Sequence, residues 1–224
     1  AFEYQGQKCS AASRAYIPQS LWPQVKDLLL NDVKSFKIGG TENFENFVNA
    51  VIDKKAFDRI VSYIEYIKTS PDAEILIGGG YDSSKGYFIE PTVVLTKNAQ
   101  YRTMCEEIFG PVLTIYIYDD ADFDATLKLI DSTSEYALTG AIISQDKAAI
   151  AHTLKVLEHA AGNIYINDKP TGAVVNQQPF GGGRASGTND KAGSYINLLR
   201  WVSPRTIKEN LNPPTDYRYP FMDK

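Results

Sequence analysis

Cysteine and histidine are scarce here, with two of each among 224 residues. Cys9 and Cys105 can close at most one bridge, which excludes a disulfide scaffold. His152 and His159 stand seven apart in a segment of helical pattern. That separation is about two turns, or roughly 10 Å, too far to share one ion. Without a Cys/His cluster, no metal site is expected. A basic stripe is also missing: 27 acidic side chains outnumber 23 basic ones, for a net charge of −4. No nucleic-acid partner is therefore expected. No apolar run approaches the roughly 18 residues that span a bilayer, so no membrane segment is expected either. No targeting segment is visible. Hydrophobic residues make up 43% of the chain, enough for one large domain with a substantial core, or one domain with an extension.

Strand and helix patterns alternate. Arg14–Ile17 reads as a strand and Leu21–Asn31 as a helix with Ser20 as its N-cap. Asp53–Thr69 carries Phe57, Ile60, Val61, Ile64 and Ile67 at helical spacing and stops at Ser70-Pro71. Glu74–Ile77, Tyr87–Leu95 (with Pro91 inside), Pro111–Tyr118, Leu138–Ser144 and Gly162–Asn167 read as strands, the fourth of them buried. Asp122–Ser132 reads as a helix, and Asp146 opens another that runs to about His159. A Gly/Pro-rich loop fills 168–187, followed by a short helix over 192–199, a strand over 201–208 and a Pro/Tyr-rich tail. This alternation predicts an α/β domain with a mainly parallel sheet and flanking helices over residues 1–200, and a C-terminal strand and tail over 201–224.

Three motifs carry chemistry. In Gly6-Gln7-Lys8-Cys9-Ser10-Ala11, a cation and small residues flank a thiol whose ordinary pKa is roughly 8.5. Lys8 would favour the thiolate, and a backbone N–H beside it would help hold an oxyanion. The bland alternative is an inert, buried cysteine. No His with an Asn or Asp behind it accompanies Cys9, which weakens a cysteine-protease reading. Glu106-Glu107-Ile108-Phe109-Gly110-Pro111 makes a turn that offers a carboxylate and a ring at the start of a strand. A carboxylate suits ribose hydroxyls and a ring suits a planar heterocycle, although a solvated Glu pair beside a core Phe explains the turn equally. In Pro179-Phe180-Gly181-Gly182-Gly183, the glycines allow close backbone approach and Phe180 would wall a pocket; a surface loop is the alternative. Gly78-Gly79-Gly80 lacks the spacing of a phosphate loop and reads as a turn.

These three motifs, in this order, resemble the aldehyde dehydrogenase superfamily, over its catalytic half from the nucleophile to the C-terminus. Glu3–Ala11, Asn163–Lys169, Thr171–Val175 and Arg184–Lys191 resemble the branch that oxidises L-glutamate γ-semialdehyde to glutamate in proline catabolism. The resemblance implies NAD as cofactor and Cys9 as the nucleophile that forms a thiohemiacetal and then a thioester. Glu107 would hold the nicotinamide ribose and Phe109 would pack near the nicotinamide. Ser10, Gly172 and Ala173 would anchor the amino-acid end of the aldehyde substrate, Phe180 would pack on its aliphatic chain, and Lys8 would add positive charge for its carboxylate. The family's cofactor domain, general-base Glu and oxyanion Asn belong to an N-terminal half not located in this chain. Alone, the chain is expected neither to bind NAD well nor to turn over. A homo-oligomer, joined through the tail from Pro213 on, and a mitochondrial matrix location follow from the same resemblance. An aldehyde dehydrogenase of another substrate class, a truncated assembly or regulatory protein, and a Cys-dependent esterase remain open at this point.

Overall fold

The computed structural model describes residues 1–222. β1 (Arg14–Pro18) leads into α1 (Trp22–Ser35), and α2 (Lys54–Thr69) into β2 (Ala73–Ile77). β3 (Tyr81–Asp82), β4 (Phe88–Ile89) and β5 (Thr92–Thr96) follow, then α3 (Arg102–Cys105), β6 (Val112–Tyr118) and α4 (Phe123–Ser132). The remainder holds β7 (Tyr136–Ala137), β8 (Thr139–Ile142), α5 (Lys147–Val156), β9 (Asn163–Ile166), β10 (Gly183–Arg184) and α6 (Tyr195–Leu198). The main sheet runs β1-β6-β5-β2. β1 and β5 lie parallel to β6, with Arg14 opposite Thr114 and Thr92 opposite Val112, while β2 joins β5 antiparallel. The predicted architecture, a mainly parallel sheet with flanking helices, is the observed one.

Period-2 alternation explains how the sheet is covered on both faces. Val94 and Val112 turn to one side and pack with Phe57, Ile60, Ile64 and Ile67 of α2. Val93, Leu113 and Ile115 turn to the other and pack with Trp22, Leu29 and Leu30 of α1. Helix α2 starts where Asp53 accepts a hydrogen bond from Ala56 N at 2.7 Å. Asp146 caps α5 in the same way, through Ala148 N at 2.8 Å and Ala149 N at 3.1 Å.

Several expectations need correction. Ser20 is not a helix cap: its N–H and hydroxyl both donate to the Asp120 carboxylate, and α1 begins at Trp22 with Pro23 in its first turn and extends to Ser35. The strand predicted over 87–95 divides at Pro91, which has no N–H to give a ladder; β4 pairs with β3 and β5 enters the main sheet. β8 is a strand but is not buried. Among the described residues it pairs only with β9, in parallel, and Ile143 beside it is 76% exposed. His159 lies beyond the end of α5, whereas His152 sits within it and meets Asp124 at 2.6 Å. The strand expected over 201–208 does not form, because among the described residues no neighbouring strand pairs with it; a 3₁₀ turn ends at Trp201 and exposed chain without regular structure follows. The tail's last two residues, 223 and 224, lie outside the described residues. No described helix is long and apolar enough to cross a membrane.

Ile60 is fully buried against Gly110. Ile60→Ala is expected to lower stability by about 2–5 kcal/mol, against about 1 kcal/mol for Asp53→Ala, read from denaturant midpoints of the protein that carries this chain. Equal midpoints for the two variants would contradict the packing described.

Candidate active site

The segment ahead of Cys9 is wound left-handed, with positive φ at Tyr4, Gln5 and Gly6 (54°, 57° and 65°). Side chains fasten it. Buried Gln5 donates to Ala50 O and accepts from Asn49 N, both at 3.2 Å. Gln7 accepts from Ile52 N at 3.0 Å. A Cβ on Gly6 would strike the Gly110 carbonyl, so only glycine lets these two motifs touch. Next comes a tight turn closed by Ala11 N donating to Lys8 O at 3.0 Å. Cys9 and Ser10 occupy its centre. The Cys9 thiol is exposed, Ser10 is buried, and Thr139 Oγ1 donates to Ser10 O at 3.4 Å. No described residue accepts a hydrogen bond from the Cys9 N–H.

The acidic turn lies against this one. Glu106 is committed to structure: Tyr63 Oη donates to it at 2.6 Å and Arg102 Nε at 3.0 Å. These bonds, Tyr63's first, hold its carboxyl below the usual range. Glu107 carries no such bonds among the described residues. Phe109 has φ 54°, a conformation rare outside glycine, and its ring is part-exposed. Lys8, Cys9, Ser10, Glu107 and Phe109 all line one cavity of about 1170 Å³. Gly172 and Ala173 lie beyond its rim, which ends at Pro170. Phe180 lines a second hollow of about 330 Å³, and Leu138 is a wall of both. The structure thus gathers five of the eight candidate residues around one space and sets the other three outside it.

Charge at the rim is shared. Lys8 Nζ lies 3.0 Å from Glu3 Oε1, and Lys169 Nζ lies 3.6 Å from Glu3 Oε2. The hydrogen bond from Lys8, ahead of the lysines' charge, draws the Glu3 carboxyl below its ordinary range. Lys8, which lines the cavity beside Cys9, already has a counter-ion, which the sequence motif did not reveal. Lys169, Gln5, Gln7 and Thr139 were also missed. Their partners are set by folding, although the Gln5-Gly6-Gln7 pattern was a readable hint of an anchored turn. A Cβ on Gly183 would meet nothing within 4 Å.

Fold and cavity define a class first: an α/β domain that presents an exposed thiol to a carboxylate and an aromatic ring. The chain belongs to the aldehyde dehydrogenase family, whose model matches residues 1–207. It is 65% identical over 222 residues to the mitochondrial Δ1-pyrroline-5-carboxylate dehydrogenase of Dictyostelium discoideum, and 54% identical over 223 residues to that of Homo sapiens. Each match covers 99% of this chain and 40% of the relative, so the chain spans less than half the length of these curated relatives. The crystal structure of the Mycobacterium tuberculosis Δ-pyrroline-5-carboxylate dehydrogenase bound with NAD superposes with TM-score 0.85 at 48% identity, covering 99% of this chain and 40% of that one.

The other thiol, Cys105, is part-buried and donates to Gln100 Oε1 at 3.4 Å. Burial pushes its pKa up, so less of it is thiolate at a given pH. Iodoacetamide at neutral pH is expected to label Cys9 well before Cys105, read by peptide mass spectrometry. Equal rates would contradict the exposure described.

Proposed function

We propose that this chain is the nucleophile-bearing part of an NAD-dependent dehydrogenase that oxidises L-glutamate γ-semialdehyde to glutamate, a step of proline catabolism. The observation that carries this reading is the exposed Cys9 thiol, which opens on the same cavity as the Glu107 carboxylate and the Phe109 ring. The relatives' names supply the substrate: Δ1-pyrroline-5-carboxylate is the cyclic imine that water opens to glutamate γ-semialdehyde.

The chemistry assigned to Cys9 is addition of its sulfur to the aldehyde carbon, giving a thiohemiacetal whose oxygen takes up negative charge. The Cys9 N–H, with no described acceptor of its own, is free to donate to that oxygen. NAD⁺, when bound, supplies hydride acceptance, which leaves a thioester on the sulfur. Water then attacks the acyl carbon and the C–S bond breaks, releasing the carboxylate and restoring Cys9. The residues present fit such a cofactor. Glu107 offers an uncommitted carboxylate for ribose hydroxyls, and Phe109 offers a part-exposed ring, held in a strained backbone, for the nicotinamide. Ser10, with the backbone of Gly172 and Ala173, would bind the amino-acid end of the substrate. Lys8 would draw in its carboxylate, and Phe180 would pack on its methylenes. The base that activates water is assigned to none of these residues.

The relatives' names also support a mitochondrial location, with the matrix as the proposed compartment. A homo-oligomer is proposed through the tail, where Trp201, Ile207, Leu211, Tyr217 and Phe221 stand exposed.

The test uses the full-length protein that carries this chain. Cys9→Ala is expected to reduce NADH production from glutamate γ-semialdehyde by at least about 10³-fold without loss of folding. Glu107→Gln is expected to raise the KM for NAD by about tenfold while moving the KM for the aldehyde less. Full turnover by the Cys9 variant would end the proposal.

A further inference from the structure

The turn that carries Phe180 is held by side chains from outside the glycine loop. Asn163, the first residue of β9, spans it: Nδ2 donates to Pro179 O at 3.0 Å, and Oδ1 accepts from Gly181 N at 3.2 Å. One amide side chain thus grips the peptide groups on both sides of Phe180. Phe180's own N–H donates to Ala192 O at 2.9 Å. From the other side, Lys191 Nζ donates to Gly162 O at 2.5 Å and reaches Gly181 O at 3.4 Å and Asn163 Oδ1 at 3.5 Å. No carboxylate pairs with this ammonium among the described residues; neighbouring Asp190 is held by Arg200 at 2.7 Å. Burial lowers the Lys191 pKa, as a cation satisfied only by neutral oxygens requires. A Cβ on Gly162 would strike the Gly181 carbonyl, so the knot closes only around a glycine.

The knot is linked to the thiol. A Cβ on Gly182 would stand 2.6 Å from Leu138 Cα, so the glycine loop packs directly on the backbone of Leu138, the wall shared by the two hollows. The next residue, Thr139, donates to Ser10 O in the Cys9 turn. A shift at Phe180 would thus be felt two contacts away from the sulfur.

We propose that Asn163 and Lys191 are positioning residues that fix the Phe180 turn against Leu138 and so set which aldehydes the site accepts. The selectivity part rests on the function proposed above; the positioning part does not.

The test compares full-length protein carrying Lys191→Met, which keeps most of the side-chain length and removes the donor, and Asn163→Leu, which keeps approximate shape and removes both the donation to Pro179 and the acceptance from Gly181. Hydrogen–deuterium exchange over 179–183 is expected to accelerate about tenfold in each, with exchange over β6 unchanged. The kcat/KM for glutamate γ-semialdehyde is expected to fall about tenfold, mostly through KM, while that for propanal stays within about twofold. Unchanged exchange over 179–183 overturns the clamp whatever the activity. Accelerated exchange with both aldehydes equally affected overturns the selectivity role. A wild-type protein that oxidises neither aldehyde refutes the proposed function and leaves exchange to decide the clamp. If Lys191→Met does not fold, Asn163→Leu decides alone.

Discussion

Two glycines in contact govern this structure. Gly6 lies against the Gly110 carbonyl with no room for a Cβ, and a Cβ on Gly110 would stand 2.6 Å from Ile60 Cδ1. The thiol turn, the acidic turn and helix α2 are therefore stacked with backbone touching backbone touching core. A side chain at either glycine would separate the sulfur from the carboxylate and ring that share its cavity. The nearby glutamines serve the same contact. Gln5 and Gln7 tie the left-handed segment to the backbone at 49–52, so the turn cannot lift away from Gly110 without breaking three hydrogen bonds.

Around this fixed point the acidic and basic groups divide into committed and available. Glu106 is tied to Tyr63 and Arg102, whereas Glu107 beside it has no such bond among the described residues. Glu3 is shared by Lys8 and Lys169, which joins the Cys9 turn to the loop just ahead of Gly172. Both arrangements are surface ion pairs whose contribution to stability is small, on the order of 0–1 kcal/mol. Their effect is geometric: each fixes the position of the turn that carries it.

Much of this was legible in the sequence because it is local. Asp53 and Asp146 announce their helices through caps, and the apolar spacing of α2 names its buried face. Pro91, visible inside the strand predicted over 87–95, marks where that strand breaks. Misreadings arose where a distant partner outweighed a local preference. Ser20 resembles a cap by position but is captured by Asp120, 100 residues away. Residues 201–208 have the composition of a strand and, among the described residues, no neighbour to pair with. The motif residues Lys8, Cys9, Ser10, Glu107 and Phe109 meet because motif spacing reflects a shared fold. The grip of Asn163 and Lys191 on the Phe180 turn has no spacing rule behind it and arises only in the folded chain.

The exposed C-terminal chain has an optical consequence. Only two tryptophans exist in the sequence: Trp22 is half-buried beside the core, while Trp201 is 80% exposed at the root of the tail. An indole in water emits at longer wavelength than one under hydrocarbon. The colour of this protein's own fluorescence is therefore a built-in gauge of whether that last stretch lies bare or has been covered by another surface.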